Sequence, residues 1–413
     1  MGFPTVYPTG TTVYDPEQAN NGYTVISRDG KTDIMTMNGE VVSTTKLNPT
    51  GESIQVATQL FAKSGFSSLP VLDSQITICD AQSRTVWQWV ASDHFTEFGF
   101  DTTAENAIYR LIEENSRSGW QTPWLTIESV RRLGNNVWYD AGDSRFDPDN
   151  LIFSAPNANI VAIISSRTGH LVWQLGPTYT KTPALRQLGW LINPTNAQLI
   201  DSTLPGAGNL LVFDQGGAAG YGAVSGLSRD GIHNQHREYS RILEINPTTL
   251  KIEWQYTPTE AGNVQPLDAY KLYSPQLGGV QRLENGNTLI LEGLFGRLFE
   301  ITPAHETVWE YVSPDFKTLA GGAKVNHITG MQRIAYAQLD LPRPSERPVA
   351  QLNVTNLRVP GSPNGANAGK VTVVDGVDPQ RLRAVRDPHS KQNLTKTSEH
   401  DFCVVTFGGA AKH

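Results

Sequence analysis

The chain has 413 residues, with 33 Lys and Arg against 40 Asp and Glu for a formal net charge of −7, and it is rich in turn-formers, with 37 Gly and 25 Pro. Mild acidity gives no basic footprint for nucleic acid or an anionic membrane surface, and no run of 18 apolar residues offers a spanning helix. Two cysteines, Cys79 and Cys403, make neither a disulfide framework nor a zinc pattern. The N-terminus lacks a basic region followed by an apolar run, so no signal peptide is expected and a reducing cytoplasmic compartment is the expected location. On that ground the sequons at Asn353 and Asn393 are chance matches.

In chain order, short β-rich runs recur, each closed by an aromatic residue. Asp33 to Met37, an Asn38-Gly39 turn and Glu40-Val41-Val42 form a degenerate first copy. Ile76 to Asp80 and then Thr85 to Trp89 form the next. One helix is expected around Thr103 to Asn115, where Ala104, Ala107, Ile108 and Leu111 share a face. Ile160 to Ile164 with His170 to Leu175, Arg241 to Ile245 with Lys251 to Tyr256, and Arg297 to Ile301 with Thr307 to Tyr311 complete the series. Asn209 to Asp214 and Asn287 to Glu292 supply further strands between the copies. Each unit reads as strand, tight turn, strand, with period-2 alternation and a Trp near the end. About four strands per unit predict an all-β chain. The expected fold is a β-propeller of about six four-stranded blades over residues 1–340, with a short helix, because a lone blade cannot bury both faces. Residues 341–413 form a Pro-, Gly- and Asn-rich C-terminal extension with a strand at Lys370 to Val374, expected to pack on or close the propeller.

Several segments match a known pattern. Tyr14-Asp15-Pro16 with Asn21-Gly22-Tyr23-Thr24, His94 to Asp101, Trp138 to Asp143, Leu204 to Asn209 and Gln281 to Thr288 together resemble the arylsulfotransferase-like propeller family, across about residues 5 to 340. The resemblance implies a channel whose histidines receive a sulfuryl group, which needs a good nucleophile and cationic donors. Those histidines are missing. Where the family has Asp-Trp-Leu/Met-His-Ile-Asn-Ser, this chain has Pro123-Trp124-Leu125-Thr126-Ile127-Glu128-Ser129. Where it has His-His-Ala-His, this chain has Thr195-Asn196-Ala197-Gln198. None of the nine histidines falls on a family channel position, so a histidine-dependent sulfotransferase is not expected.

The replacements are neutral hydrogen-bonding groups, poor as nucleophiles or metal ligands. Gln198, Asn196 and Thr126 are therefore the candidate catalytic residues. Trp120, Trp124, Thr195, Tyr273, Gln281, Leu294 and Phe295 are the candidate substrate-binding residues. A neutral, apolar channel suits a small polycyclic or terpenoid substrate. The expected function is that of a cofactor-independent enzyme of fungal specialised metabolism, a cyclase of pericyclic or hetero-Diels–Alder type, coupled to dehydration. No metal, cofactor, nucleic acid or membrane is expected. Two alternatives stand beside it: an aryl-sulfate sulfotransferase using His327, Tyr221 or Tyr273, and a non-catalytic lipophile-binding or scaffold propeller. Trp87, Trp89, Trp173, Trp254 and Trp309 are expected to pack blades. Asp140, Asp143 and Arg145 read as loop-bracing charges, His233 and His236 as members of a solvated loop, and the Gly216 to Gly222 run does not have the context of a phosphate loop.

Overall fold

The computed structural model describes residues 9–45, 52–62, 64–119 and 121–350, with two short strands at 371–373 and 405–407. Strand β1 (Gly10–Tyr14) is followed by a meander, β2 (Tyr23–Arg28), β3 (Lys31–Met35) and β4 (Val41–Thr45), that forms blade 1. Blade 2 is β5 (Ser53–Phe61), β6 (Val71–Cys79) and β7 (Thr85–Val90). Helix α1 (Thr102–Ser118) precedes blade 3, which is β8 (Ser129–Arg132), β9 (Leu151–Ala155), β10 (Ile160–Ile164) and β11 (Leu171–Leu175). Blade 4 starts with β12 (Pro194–Leu199) and β13 (Leu210–Asp214). It then carries an inserted hairpin, β14 (Gly217–Tyr221) and β15 (Ile232–Arg237), before β16 (Arg241–Ile245) and β17 (Ile252–Tyr256). Blade 5 is β18 (Gly278–Arg282), β19 (Thr288–Glu292), β20 (Arg297–Ile301) and β21 (Thr307–Val312). The pair β22 (Lys317–Thr318) and β23 (Lys324–Val325) precedes β24 (Gly330–Ile334).

The sheets make a five-bladed propeller among the described residues, where the repeats had suggested about six. Between blade 1 and β6 the described residues supply β5 alone. The ring closes twice: β24 joins β2 as the inner strand of blade 1, and β1 joins β21 as a fifth strand of blade 5. Val349 then pairs with Tyr14, and Arg347 reaches Glu40, so the start of the extension lies against this closure. Val371–Val373 pairs with Val405–Phe407, close to the expected strand at Lys370 to Val374.

The middle strands β9, β10, β13 and β19 are buried at every position, so the expected two-residue alternation gives way to continuous burial. Neighbouring blades cover both of their faces, and a short strand buried on both sides needs no polar face. All five outer hairpins share one irregularity, a register shift next to the turn, at Ile34/Met35, Ile78/Cys79, Ile163/Ile164, Glu244/Ile245 and Glu300/Ile301. Such a bulge adds local twist, which suits a blade.

The outer-strand tryptophans do more than pack. Each donates its indole N–H to a carbonyl in the outer turn of the next blade: Trp89 to Gly169 at 2.9 Å, Trp173 to Pro247 at 2.8 Å, Trp254 to Pro303 at 3.2 Å and Trp309 to Met37 at 2.7 Å. These staple junctions 2/3, 3/4, 4/5 and 5/1, and each junction has its own apolar cluster. Buried ion pairs add to the last two, Glu244 to Arg282 at 2.6 Å and Glu300 to Arg333 at 3.0 Å. Helix α1 is longer than expected. It is capped by Asp101 through the Thr103 and Ala104 amides, ended by Gly119 at φ 74°, and lays Ala104, Ile108, Leu111 and Ile112 on the 2/3 cluster, with Ala107 buried beside them on the same face.

Candidate functional site

Four inner strands carry related triplets: Val130-Arg131-Arg132, Ala197-Gln198-Leu199, Val280-Gln281-Arg282 and Met331-Gln332-Arg333. Successive side chains on a strand point to opposite faces. The middle residues, Arg131, Gln198, Gln281 and Gln332, line one cavity of about 370 Å³ in the central channel, with Asn196, Val280 and Met331 beside them. Three third residues are held in ion pairs: Arg282, which also reaches the cavity wall, with Glu244, Arg333 with Glu300, and Arg132 with Glu52 at 2.8 Å. Blade 2 contributes no such triplet among the described residues. Its Trp-ended hairpin β6–β7 matches the outer hairpins elsewhere, so β5 corresponds to a second strand and leaves an edge on the channel side.

The amides around the ring hold the inner strands to one another. Gln281 receives the Arg333 backbone N–H at 2.7 Å and donates to its carbonyl at 3.0 Å. Asn196 Oδ1 accepts from the Val280 N–H at 3.0 Å, and Gln198 Nε2 donates to the Val280 carbonyl at 2.6 Å. Gln198 Oε1 accepts from Arg131 Nη1 at 2.9 Å. Every polar atom of Gln198 is therefore engaged, whereas Arg131 has donors to spare.

Arg131 has no carboxylate partner among the described residues, and burial alone pulls its basicity down. A guanidinium stays protonated under such a shift, so the ring holds a cation whose hydrogen-bond partner is the neutral Gln198 amide, while Asp201 and the ion-paired Arg282 lie on the wall of the same cavity. That is an attractive seat for a carbonyl, enolate or carboxylate oxygen. Glu128, one residue before β8, lies outside the wall of this cavity and is exposed to solvent. The protein packed around it still pushes its carboxyl above the ordinary range, against hydrogen bonds from Thr195 and Gln215.

The sequence-derived candidates divide. Gln198, Asn196 and Gln281 meet in the cavity. Thr195 is buried and hydrogen-bonded to Glu128. Thr126 sits on the connection ahead of β8, its N–H donating to Asn157 Oδ1 at 2.9 Å. Trp124 is not a channel residue: it is fully buried in the 2/3 cluster, with its indole N–H on Asp73 at 2.8 Å. Tyr273 is half-buried with its amide on Glu292, and Leu294 and Phe295 form the half-buried turn after β19. Trp120 lies outside the described residues. The cavity is also less apolar than expected, since amides and a cation form much of its wall. Arg131 and Glu128 were missed, although the triplet of apolar residue, Gln or Arg, then Arg was a usable signal.

The proposed alternative nucleophiles are dispersed. Tyr221 is enclosed, donates to the Trp124 carbonyl at 2.6 Å, and burial drives its phenol up. Burial likewise raises Tyr273. His327 lies in a separate notch with Arg28, Asp33 and Lys317, where burial and Lys317 lower its basicity. Asp143 pairs with Arg145 at 2.6 Å as a loop brace, and His233 and His236 lie exposed on β15. Gly217 to Tyr221 is a strand, not a phosphate loop.

No family model matches this chain, and no curated protein matches it. Among solved structures it is similar to a protein of unknown function from Bacteroides caccae, at 14% identity over 71% of this chain and 75% of that one, with a TM-score of 0.30. Virginiamycin B lyase from Staphylococcus aureus is similar at 10% identity, 77% and 68% coverage, and a TM-score of 0.29. So is the β-propeller domain of Cps50 (Swd1) from Myceliophteria thermophila, at 9% identity, 74% coverage of each chain and a TM-score of 0.30. The chain is a β-propeller on the strength of its own sheets. No helix of the described residues is long and apolar enough to cross a membrane.

Proposed function

We propose that the channel cavity is the reaction chamber of a cofactor-independent cyclase in specialised metabolism. Its substrate is an organic intermediate that offers one oxygen to Arg131. The observation that carries this reading is the unpaired guanidinium in a ring of amides beside a cavity of about 370 Å³, a volume suited to a compact polycyclic or terpenoid molecule. Gln198 is a positioning residue: its carbonyl aims Arg131. The likeness to arylsulfotransferase-like propellers supports the use of the channel, with its chemistry replaced.

A dehydrative cycloaddition fits these groups, for a substrate that spans from Arg131 in the cavity to Glu128 outside its wall. Glu128, as the acid, protonates a benzylic or allylic hydroxyl, which leaves as water. The resulting carboxylate accepts the proton of the neighbouring phenol or enol, leaving a quinone methide and restoring the acid. Arg131 holds the new carbonyl oxygen and draws electron density from the oxadiene, and the cavity holds the alkene partner at reacting distance. Two σ bonds then form with no further proton transfer. Alignment and a charge-assisted hydrogen bond each lower such a barrier by several kcal/mol.

The test is chiral LC–MS of an ortho-hydroxybenzyl alcohol incubated with an alkene and the purified protein. One enantiomer in excess is expected, and a racemate identical to the protein-free control rejects the reading. Arg131→Met should cut turnover by about 100-fold, the usual scale for one oxyanion donor. If Glu128 acts in its acid form, activity falls as pH rises through its raised pKa, and Glu128→Gln removes that limb of the profile. A second reading, sulfuryl transfer, is favoured by the same cation, which suits a sulfate ester. Turnover of p-nitrophenyl sulfate with a phenol acceptor separates the two, and none is expected.

A further inference from the structure

The segment after β7 lies where blades 2 and 3 meet, and it brings together three donors that the channel does not use. His94 Nδ1 and His170 Nδ1 each lie 2.8 Å from the same oxygen, Oε1 of Glu97. The three donor atoms all fall within 4.8 Å of one another. The arrangement is braced from behind. Glu97 Oε2 accepts the Leu171 backbone N–H at 2.8 Å, which fixes the carboxylate plane. The His94 ring stacks on Trp89 at 5.0 Å and 12°, and the two imidazoles meet at 5.9 Å and 85°. Oriented carboxylate and imidazole ligands are what a metal site requires of its surroundings.

We propose that His94, Glu97 and His170 bind one divalent transition-metal ion, of which Zn²⁺ is the fitting case, and that the ion clasps blade 2 to blade 3. Two nitrogens and one carboxylate oxygen suit Zn²⁺, whereas Mg²⁺ and Ca²⁺ take oxygen shells. Tetrahedral Zn²⁺ with bonds of about 2.0–2.2 Å spaces its ligand atoms roughly 3.3 Å apart. The donors therefore open by about half an ångström, and His170, with 67% of its side chain exposed, has the room to move. Water takes the fourth position on that exposed side. The ion takes the place of the two Nδ1 contacts to Glu97.

The full chain, stripped with chelator, is titrated with Zn²⁺ and then with Co²⁺. One ion per chain is expected, with a rise in Tm of a few degrees at saturation and a cobalt absorption spectrum of a four-coordinate site. His170→Ala should weaken Zn²⁺ binding by at least about tenfold, as should Glu97→Gln, which preserves the side-chain shape. The control His233→Ala/His236→Ala, on the exposed β15, should bind as tightly as the wild type. The proposal is overturned if the wild type takes up no Zn²⁺ at micromolar concentration. It is overturned equally if His170→Ala and Glu97→Gln, folded by circular dichroism, bind Zn²⁺ as the wild type does, or if the β15 control removes the binding.

Discussion

Four of the five blade junctions are built alike, and the fifth is not. Junctions 2/3, 3/4, 4/5 and 5/1 each have a tryptophan staple and an apolar cluster. Among the described residues, junction 1/2 has neither, nor any hydrogen bond or ion pair between the two blades. The reason is visible in β4, Val41-Val42-Ser43-Thr44-Thr45, which carries no tryptophan, and in β5, exposed from Gln55 to Leu60. Val41, Val42, Val56 and Leu60 all remain open to solvent. A propeller can thus hold its ring through four strong contacts and leave one junction loose.

The largest effect is expected at junction 5/1, where Trp309 is fully buried and sits under Arg333 at 4.7 Å. Trp309→Ala should cost about 3–5 kcal/mol in urea unfolding, the range for deleting a buried large aromatic. Leu60→Ser, on β5, should cost less than about 0.5 kcal/mol, as exposed substitutions do. Comparable losses for the two would erase the contrast. Removing one partner of the buried pair at the same junction, by Glu300→Gln, should cost about 3 kcal/mol, since it leaves Arg333 in place without its full counter-charge. A cost near zero would mean that the staple and cluster alone hold the junction.

Hydrogen exchange reads the contrast without substitutions. Amides of β5 should exchange well before those of β19, which lies buried between two strands of its own blade. Equal protection of the two strands would show that junction 1/2 is as tight as the rest.

The sequence reveals one class of feature and hides another. The aromatic-ended hairpins are local and repeated, so the outer strands and the propeller could be read from Trp87-Gln88-Trp89, Trp173, Trp254 and Trp309. The number of blades could not, because β24 reaches its partner β2 across nearly the whole chain and has no tryptophan of its own. The channel ring was half legible. The family resemblance drew attention to Asn196 and Gln198, and those residues do line the cavity, but the charge without an ion-pair partner among the described residues comes from Arg131, which that comparison does not mark. Among the described residues it makes no ion pair, although Asp201 lines the same cavity, and that is a fact of three dimensions. Trp124 misled for the same reason: next to Thr126 in sequence, it turns instead into the core. The cluster at Glu97 unites residues more than seventy positions apart, and no local pattern marks it.

The double closure has a consequence for how the molecule is made. Val25 pairs with Gln332, and Tyr14 with Trp309, so the first two strands wait for partners synthesised about three hundred residues later. Until then β2 presents a bare edge, the kind of surface that recruits another chain. Contacts this distant in sequence also form slowly. A ribosome would therefore release blades 2 to 4 with their mutual contacts already available, while blade 1 stays an incomplete sheet until the final strand emerges. Chaperone dependence during synthesis, and aggregation of products truncated before Gly330, are built into the order in which this ring is written.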